Sequence, residues 1–237
     1  LTANPGTEIS VVLPAYLEAA NLKVLLPRIC EVLMQMSPVH EIIVVDTPEP
    51  RDETPAICRA NGVRYLPREG GGLYGHAIRT GLKHARGHYI ICMDADGSHS
   101  PDFLVQLWAQ RENNDLVIAS RYVPGGKTEN PAILIFLSLV VNVVFRLALG
   151  LACYDVSNSF RLYRGDQLRG LDLECDNFDI VEEILVKLKA HHPSLRVREI
   201  PFTFERRKEG KTKRNLVLFA IGYVFTLCRL WRFRYSK

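Results

Sequence analysis

The sequence predicts an α/β fold: a mostly parallel central sheet flanked by helices. Three observations carry that prediction. Strand-like and helix-like patterns alternate from residue 9 to residue 120, as in consecutive βαβ units. The strand patterns are short, unbroken apolar runs rich in β-branched residues, as expected of strands buried on both faces. Polar residues gather directly after those runs, at 14–18, 46–54, 94–99 and 120–122. In an open parallel sheet such loops line one edge, and ligands bind there.

The elements follow in order. Ile9 to Leu13 is a strand stopped at Pro14. Residues 18–36 carry Ala19, Leu22, Leu25, Leu26, Ile29, Val32, Leu33 and Met36 at helical spacing, and Pro27 predicts a kink or two segments. Glu41 to Val45 is a second strand ending at Asp46, followed by the polar loop TPEPRDET and a short helix over 54–61. Gly62 to Leu66 is a third strand. The glycine-rich stretch REGGGLYG at 68–75 leads into a helix running to about Ala85. Tyr89 to Met93 is a fourth strand, again ending in aspartate. A helix starts at Pro101 and runs through Ala109, and Leu116 to Ser120 is a fifth strand.

After Gly126 the pattern changes. From Pro131 to Tyr154 the sole formal charge is Arg146, and Asn142 lies four residues before it, which gives that helix a polar side. Asn215 to Cys228 is a second uncharged run between Arg214 and Arg229. A bilayer span needs about 20 apolar residues, so both are expected to be apolar interfacial helices lying on a membrane surface. The divisions expected are 1–126 as an α/β half with its ligand-binding edge, 127–213 as the second half of the same domain, and 214–237 as a basic, membrane-peripheral C-terminal helix.

Composition excludes several classes. Of 237 residues, 47% are hydrophobic and 24% charged, so the chain is neither disordered nor short of core. Six scattered cysteines without a CxxC suit a reducing compartment, with most of them as core side chains. The opening LTANPGTEIS lacks the features of a secretory signal, and a cytoplasmic location is expected. Residues 206–237 hold ten Lys and Arg against Glu209 alone, whereas residues 1–205 carry a net charge of −5. Such a tail suits phosphates, an anionic membrane face or nucleic acid. Trp231, Phe233 and Tyr235 among its charges could stack on bases, but no nucleic-acid fold motif accompanies them.

GGGLYG is followed by His76 and Ala77, so it is not a Walker loop, and no G-x-G-x-x-G follows the first strand. Its glycines, Gly75 included, are expected to let the backbone approach a nucleotide or turn sharply. The seven histidines make no zinc pattern, and Cys92 lies inside a strand. Asp94-Ala95-Asp96 follows the fourth strand. Two carboxylates so close call for a cation, and oxygen ligands favour Mg²⁺ or Mn²⁺, with Mg²⁺ often bridging to substrate phosphates. Asp46 and Asp52 could accept hydrogen bonds from a base edge or ribose. A hydroxyl acceptor would need a base, for which His99, Asp94, Glu182 and Glu183 are candidates.

The ordered set VVLPAYLEAANL, IIVVD, DADGSHSPDFL, DLVIASRYVPGG, DVSNSFRLYR, NFDIVEEIL and IPFTFERRKEGKTK resembles glycosyltransferase family 2, in particular its dolichyl-phosphate mannosyltransferase-like, polyprenyl-phosphate branch. The resemblance spans about residues 9–230. It implies a GT-A-type fold and inverting transfer of a sugar from GDP-mannose or a UDP-hexose to a polyprenyl phosphate. It places Pro14, Tyr16, Glu18, Asp46, Asp52, Gly75, Asp94 and Ala95 at the donor. It puts metal on Asp94 and Asp96, Arg121 near the acceptor phosphate, and Arg207 and Lys213 over the donor phosphates. The segment 206–214 is expected to close over them as a lid. Four positions depart from the family pattern: Leu17 for asparagine, Thr47 for a second aspartate, Leu134 for a basic residue and Ser159 for glycine. Partners expected are an anionic membrane surface and a second copy or a membrane protein. A soluble hydroxyl acceptor and a non-enzymatic membrane- or nucleic-acid-binding module are the alternatives.

Overall fold

The computed structural model describes residues 6–37, 39–205 and 216–235, the last segment with side chains from residue 222. Its main sheet contains β1 (Ile9–Pro14), β2 (His40–Asp46), β3 (Arg64–Pro67), β4 (Tyr89–Cys92), β5 (Leu116–Ser120), β7 (Arg161–Arg164) and β8 (Val197–Pro201). The order across it is β3-β2-β1-β4-β7-β5-β8. All neighbours are parallel except β7, which runs antiparallel to both β4 and β5. A small parallel ribbon pairs β6 (Lys127–Thr128) with β9 (Thr203–Phe204).

The chain builds outward from β1 to β2 and β3, then returns to place β4 on the other side of β1. Val12 lies opposite Cys92 in that pair. The loops after β1 and β4 therefore open side by side, at the reversal point where open α/β sheets bind ligands.

Strand residues alternate between two cores, as the period of two requires. Val11, Leu13, Ile42, Val44 and Ile91 meet α1 (Ala19–Met36), α2 (Thr54–Ala60) and α4 (Leu104–Ala109) on one face. Val12, Ile43, Val45 and Ile90 meet α3 (Tyr74–His84), α6 (Gly165–Arg169) and α7 (Ile180–His191) on the other. The expected break at Pro27 does not occur; α1 is one helix of 18 residues. Lys23, whose carbonyl loses its partner to the proline, and Pro27 itself both lie on the exposed face, where water can satisfy that carbonyl.

The two apolar runs form α5 (Ala132–Leu149) and α8 (Leu216–Tyr235). The expected polar side of α5 exists, but Asn142 turns inward. Its amide donates to Ser138 O at 2.8 Å and Ser157 Oγ at 3.2 Å, and its oxygen accepts the Val156 N–H at 2.6 Å. The apolar side faces out, with Ile133, Phe136 and Leu147 exposed by 61, 60 and 70%, so α5 is no core helix. It is long and apolar enough to cross a membrane by length and composition. α8 rests on α5 through Phe145 and Tyr223, ring centroids 5.6 Å apart, and exposes Val224, Phe225 and Trp231.

Polar contacts seat α8 on α7. Thr226 donates to Asp179, and the Tyr223 hydroxyl donates to Glu182 Oε1 at 3.3 Å. Glu182 is fully buried, and burial pushes its carboxyl up to about 8 from the ordinary 4.5. A folded pKa above the unfolded one makes this a contribution fully present below about pH 4.5 and lost as pH rises through about 8. Glu182→Gln, which cannot ionise, is expected to raise the Tm at pH 8 by roughly 5 °C and to change it little at pH 4.5. Melting curves at both pH values check this; an equal shift at both would contradict it.

Candidate active site

The site forms where β1, β2 and β4 end. Asp46, the last residue of β2, is 1% exposed. Burial raises its pKa, against a backbone hydrogen bond from Thr47, and the Tyr65 hydroxyl approaches it at 3.4 Å. Arg68 binds the neighbouring loops together. Its Nε donates to Asp46 O at 2.9 Å, its Nη1 to Gly72 O at 2.8 Å and its Nη2 to Ala15 O. In the sequence the sole sign of this role is a lone cation opening the glycine-rich loop.

The loop after β1 carries Tyr16 and Leu17, exposed by 36 and 44%. Leu17 has φ of 56°, a left-handed conformation that costs a leucine roughly 1–2 kcal/mol and that an asparagine would adopt more readily. Glu18 sits just before α1, buried, accepting from Asn21 at 2.6 Å. Asp52 is held by backbone: one oxygen accepts the Ala19 N–H at 3.0 Å, the other the Thr54 N–H at 3.0 Å. It thus caps the starts of α1 and α2, a placement that its charged loop did not reveal.

Asp94 and Asp96 lie on the turn after β4. The Asp94 N–H donates to His99 Nδ1 at 3.0 Å, and Asp94 Oδ1 accepts from Tyr74 Oη at 3.1 Å and Ser159 Oγ at 3.0 Å. Asp96 Oδ1 accepts the Ser98 N–H at 3.0 Å and the Ser98 hydroxyl at 2.5 Å. Ala95 between them points into the core. Among the described residues no three His, Cys, Asp or Glu side chains form a closed metal cage. Two carboxylates on one strand-end turn suit a hard cation that keeps further positions for phosphate oxygens.

Several candidates take other roles. Gly75 gives its N–H to Asp176 O at 2.7 Å, and a Cβ there would lie 2.2 Å from Cys175 O. Its missing side chain lets α3 start against the 175–176 backbone. His99 is fully buried and stacked on Phe160 at 4.7 Å; burial lowers its pKa, and its Nδ1 is already engaged, so it is not placed as a general base. Glu183 pairs with Lys187 at 2.8 Å and Glu182 with Tyr223, beneath α8. Cys92 is buried, its thiol pushed up to about 12 by burial, and all six cysteines are free.

Arg121 was expected at an acceptor phosphate. The structure commits it to Asp155: Nε to Oδ2 at 2.8 Å, Nη2 to Oδ1 at 2.7 Å, with Ser157 Oγ accepting from Nη2 at 2.8 Å. Burial alone would raise the Asp155 pKa, but the guanidinium outweighs it and holds the carboxyl below the ordinary range. Arg207 and Lys213, with the proposed lid at 206–214, lie outside the described residues. The described chain before them ends at Glu205, whose N–H donates to Ser98 O at 3.2 Å.

The glycosyl transferase family 2 profile matches residues 10–170. The chain belongs to glycosyl transferase family 2. This family 2 chain is 33% identical over 213 residues to a dolichol-phosphate mannosyltransferase of Pyrococcus furiosus, covering 87% of itself but 59% of that protein. It is also 33% identical over 226 residues to the polyprenol monophosphomannose synthase of Mycolicibacterium smegmatis, covering 90% of itself and 83% of the relative. A crystal structure of glucosyl-3-phosphoglycerate synthase from Mycobacterium tuberculosis with Mn²⁺ and UDP superposes with a TM-score of 0.71 at 20% identity. That likeness spans 96% of this chain and 81% of the synthase and identifies the sheet as a GT-A fold. Family 2 membership weighs against the non-enzymatic reading of the basic tail.

Proposed function

We propose that this chain transfers a sugar, with inversion, from GDP-mannose or a UDP-hexose to a polyprenyl phosphate at an anionic membrane surface. One observation carries the reading. The outward-apolar helix α5 is fastened by Asn142 to Val156 and Ser157, and two residues on Ser159 bonds Asp94. The helix with the outward apolar face is thus tied, through the segment 156–159, to the Asp94 carboxylate. The relatives named for dolichol- and polyprenol-phosphate mannosyl transfer support the same reading.

The chain's residues would divide the work as follows. Tyr16, Glu18 and Asp46 border the nucleoside side of the cleft. Asp94 and Asp96 would hold Mg²⁺ or Mn²⁺, which when bound neutralises charge on the departing diphosphate. Arg207 and Lys213 would add positive charge over the same phosphates. The acceptor phosphate is ionised near neutral pH, so an oxygen attacks the anomeric carbon while the sugar–diphosphate bond breaks. That step needs positioning and no strong base.

Purified protein, vesicles containing anionic lipid and polyprenyl phosphate, Mg²⁺ or Mn²⁺, and labelled GDP-mannose, UDP-glucose or UDP-galactose make the test. Label is expected in the lipid phase with one of these donors. Transfer to added sugar or polyol hydroxyls instead would establish the soluble-acceptor alternative, which the burial of Arg121 favours. No product from any donor would overturn both.

A further inference from the structure

We propose that Tyr74 and Ser159 are positioning residues that fix the Asp94 carboxylate for the nucleotide donor, an inference that rests on the donor reading above. Asp94 is reached from three directions. His99 Nδ1 takes its N–H at 3.0 Å, and Oδ1 receives the Tyr74 hydroxyl at 3.1 Å and the Ser159 hydroxyl at 3.0 Å. Among the described residues no donor lies within hydrogen-bond distance of Oδ2; His99 Nε2 stands 4.0 Å from it. One oxygen is therefore turned into the protein and the other left for a ligand.

The chemistry of the two donors matters. Arg121 neutralises Asp155, whereas Tyr74 and Ser159 orient Asp94 with neutral hydroxyls and leave its negative charge available to a cation or a ribose hydroxyl. Both donors are themselves anchored. Tyr74 stacks on Phe178 with centroids 4.4 Å apart, at the helix start that Gly75 presses against residues 175–176. Ser159 follows Asn158, whose N–H bonds Asp155 Oδ1 at 3.1 Å and whose amide bonds Ala119 O at 2.5 Å. Ordering a free side chain on binding has an entropic cost; here that ordering is built into the fold. Ser159 stands where the family resemblance leads one to expect glycine, which has no hydroxyl to give.

The test compares Tyr74→Phe, Ser159→Ala, the double variant, Ser159→Gly and Ser159→Thr in the full chain. Calorimetry measures GDP and UDP binding with Mn²⁺, alongside Tm and, for transfer, donor KM and kcat. Each hydroxyl deletion is expected to weaken nucleotide binding about 3- to 10-fold and the double variant more than about 10-fold. Donor KM should rise more than kcat falls, and Ser159→Thr should restore affinity. A folded double variant with wild-type affinity overturns the inference. Should the double variant not fold, Ser159→Gly and Ser159→Thr decide: equal affinities overturn it, and weakening in Gly alone supports it. Wild-type protein that binds neither nucleotide overturns the donor reading and this inference with it. Binding by wild type with unchanged variants overturns the inference alone.

Discussion

Asp96→Ala is expected to reduce sugar transfer about 1,000-fold, the effect of losing roughly 4 kcal/mol of transition-state charge stabilisation. The alanine also releases the Ser98 N–H and hydroxyl that Asp96 Oδ1 accepts, so part of the loss could come from a loosened turn. Asp96→Asn separates the two causes. Its amide oxygen can still accept from Ser98, but it has no charge to offer a cation. Activity of the asparagine variant should fall nearly as far as that of the alanine variant, while its Tm stays close to wild type. Rates across a Mn²⁺ titration, with melting curves, check this. An asparagine variant with wild-type rate and metal response would remove Asp96 from the metal site.

Asp155→Ala is expected to be strongly destabilising. Asp155 is fully buried, and the Arg121 side chain that grips it with two nitrogens is 9% exposed. Stranding one partner of such a pair costs about 3–5 kcal/mol, or a fall in Tm of roughly 10 °C for a chain of this size. Arg121→Ala should cost about as much, and the double variant less than the sum of the two. If Arg121 instead served mainly to hold an acceptor phosphate, Arg121→Ala would raise acceptor KM and leave the Tm unchanged. Thermal melts of the three variants, with acceptor kinetics of those that remain folded, distinguish these outcomes.

Much of the scaffold was readable from local pattern. The runs at 9–13, 41–45 and 116–120 are apolar, β-branched and bounded by Pro14, Asp46 and Arg121, and they became β1, β2 and β5 within two residues. Asp94 and Asp96 were readable because a strand delivered them to a turn. What escaped depended on partners far along the chain. Arg161 makes RLYR look like a surface segment, yet it is fully buried in β7 because Val181, Asp155 and Val156 supply carbonyl acceptors. The pairing of Arg121 with Asp155, 34 residues on, is invisible to local pattern. The capping role of Asp52 is equally hidden, because its two N–H partners belong to different helices. Asn142 and Arg146 correctly marked a polar stripe on α5, but spacing alone could not say that the stripe turns inward.

The placement of β7 between β4 and β5 bears on how the protein is made. β4 and β5 never touch; both wait for residues 161–164 to pair with them. A nascent chain that has emerged only through residue 120 therefore holds three unfilled strand edges, one on β4 and both of those on β5, the kind of surface that invites aggregation. Bringing β7 back across that sequence separation raises the contact order, and such pairings form slowly. The same insertion brings Phe160 O to the Ala119 N–H at 3.0 Å and Ser159 to Asp94. Filling the gap in the sheet and bringing Ser159 to Asp94 thus depend on the same strand, and a lesion that delays β7 should disturb both.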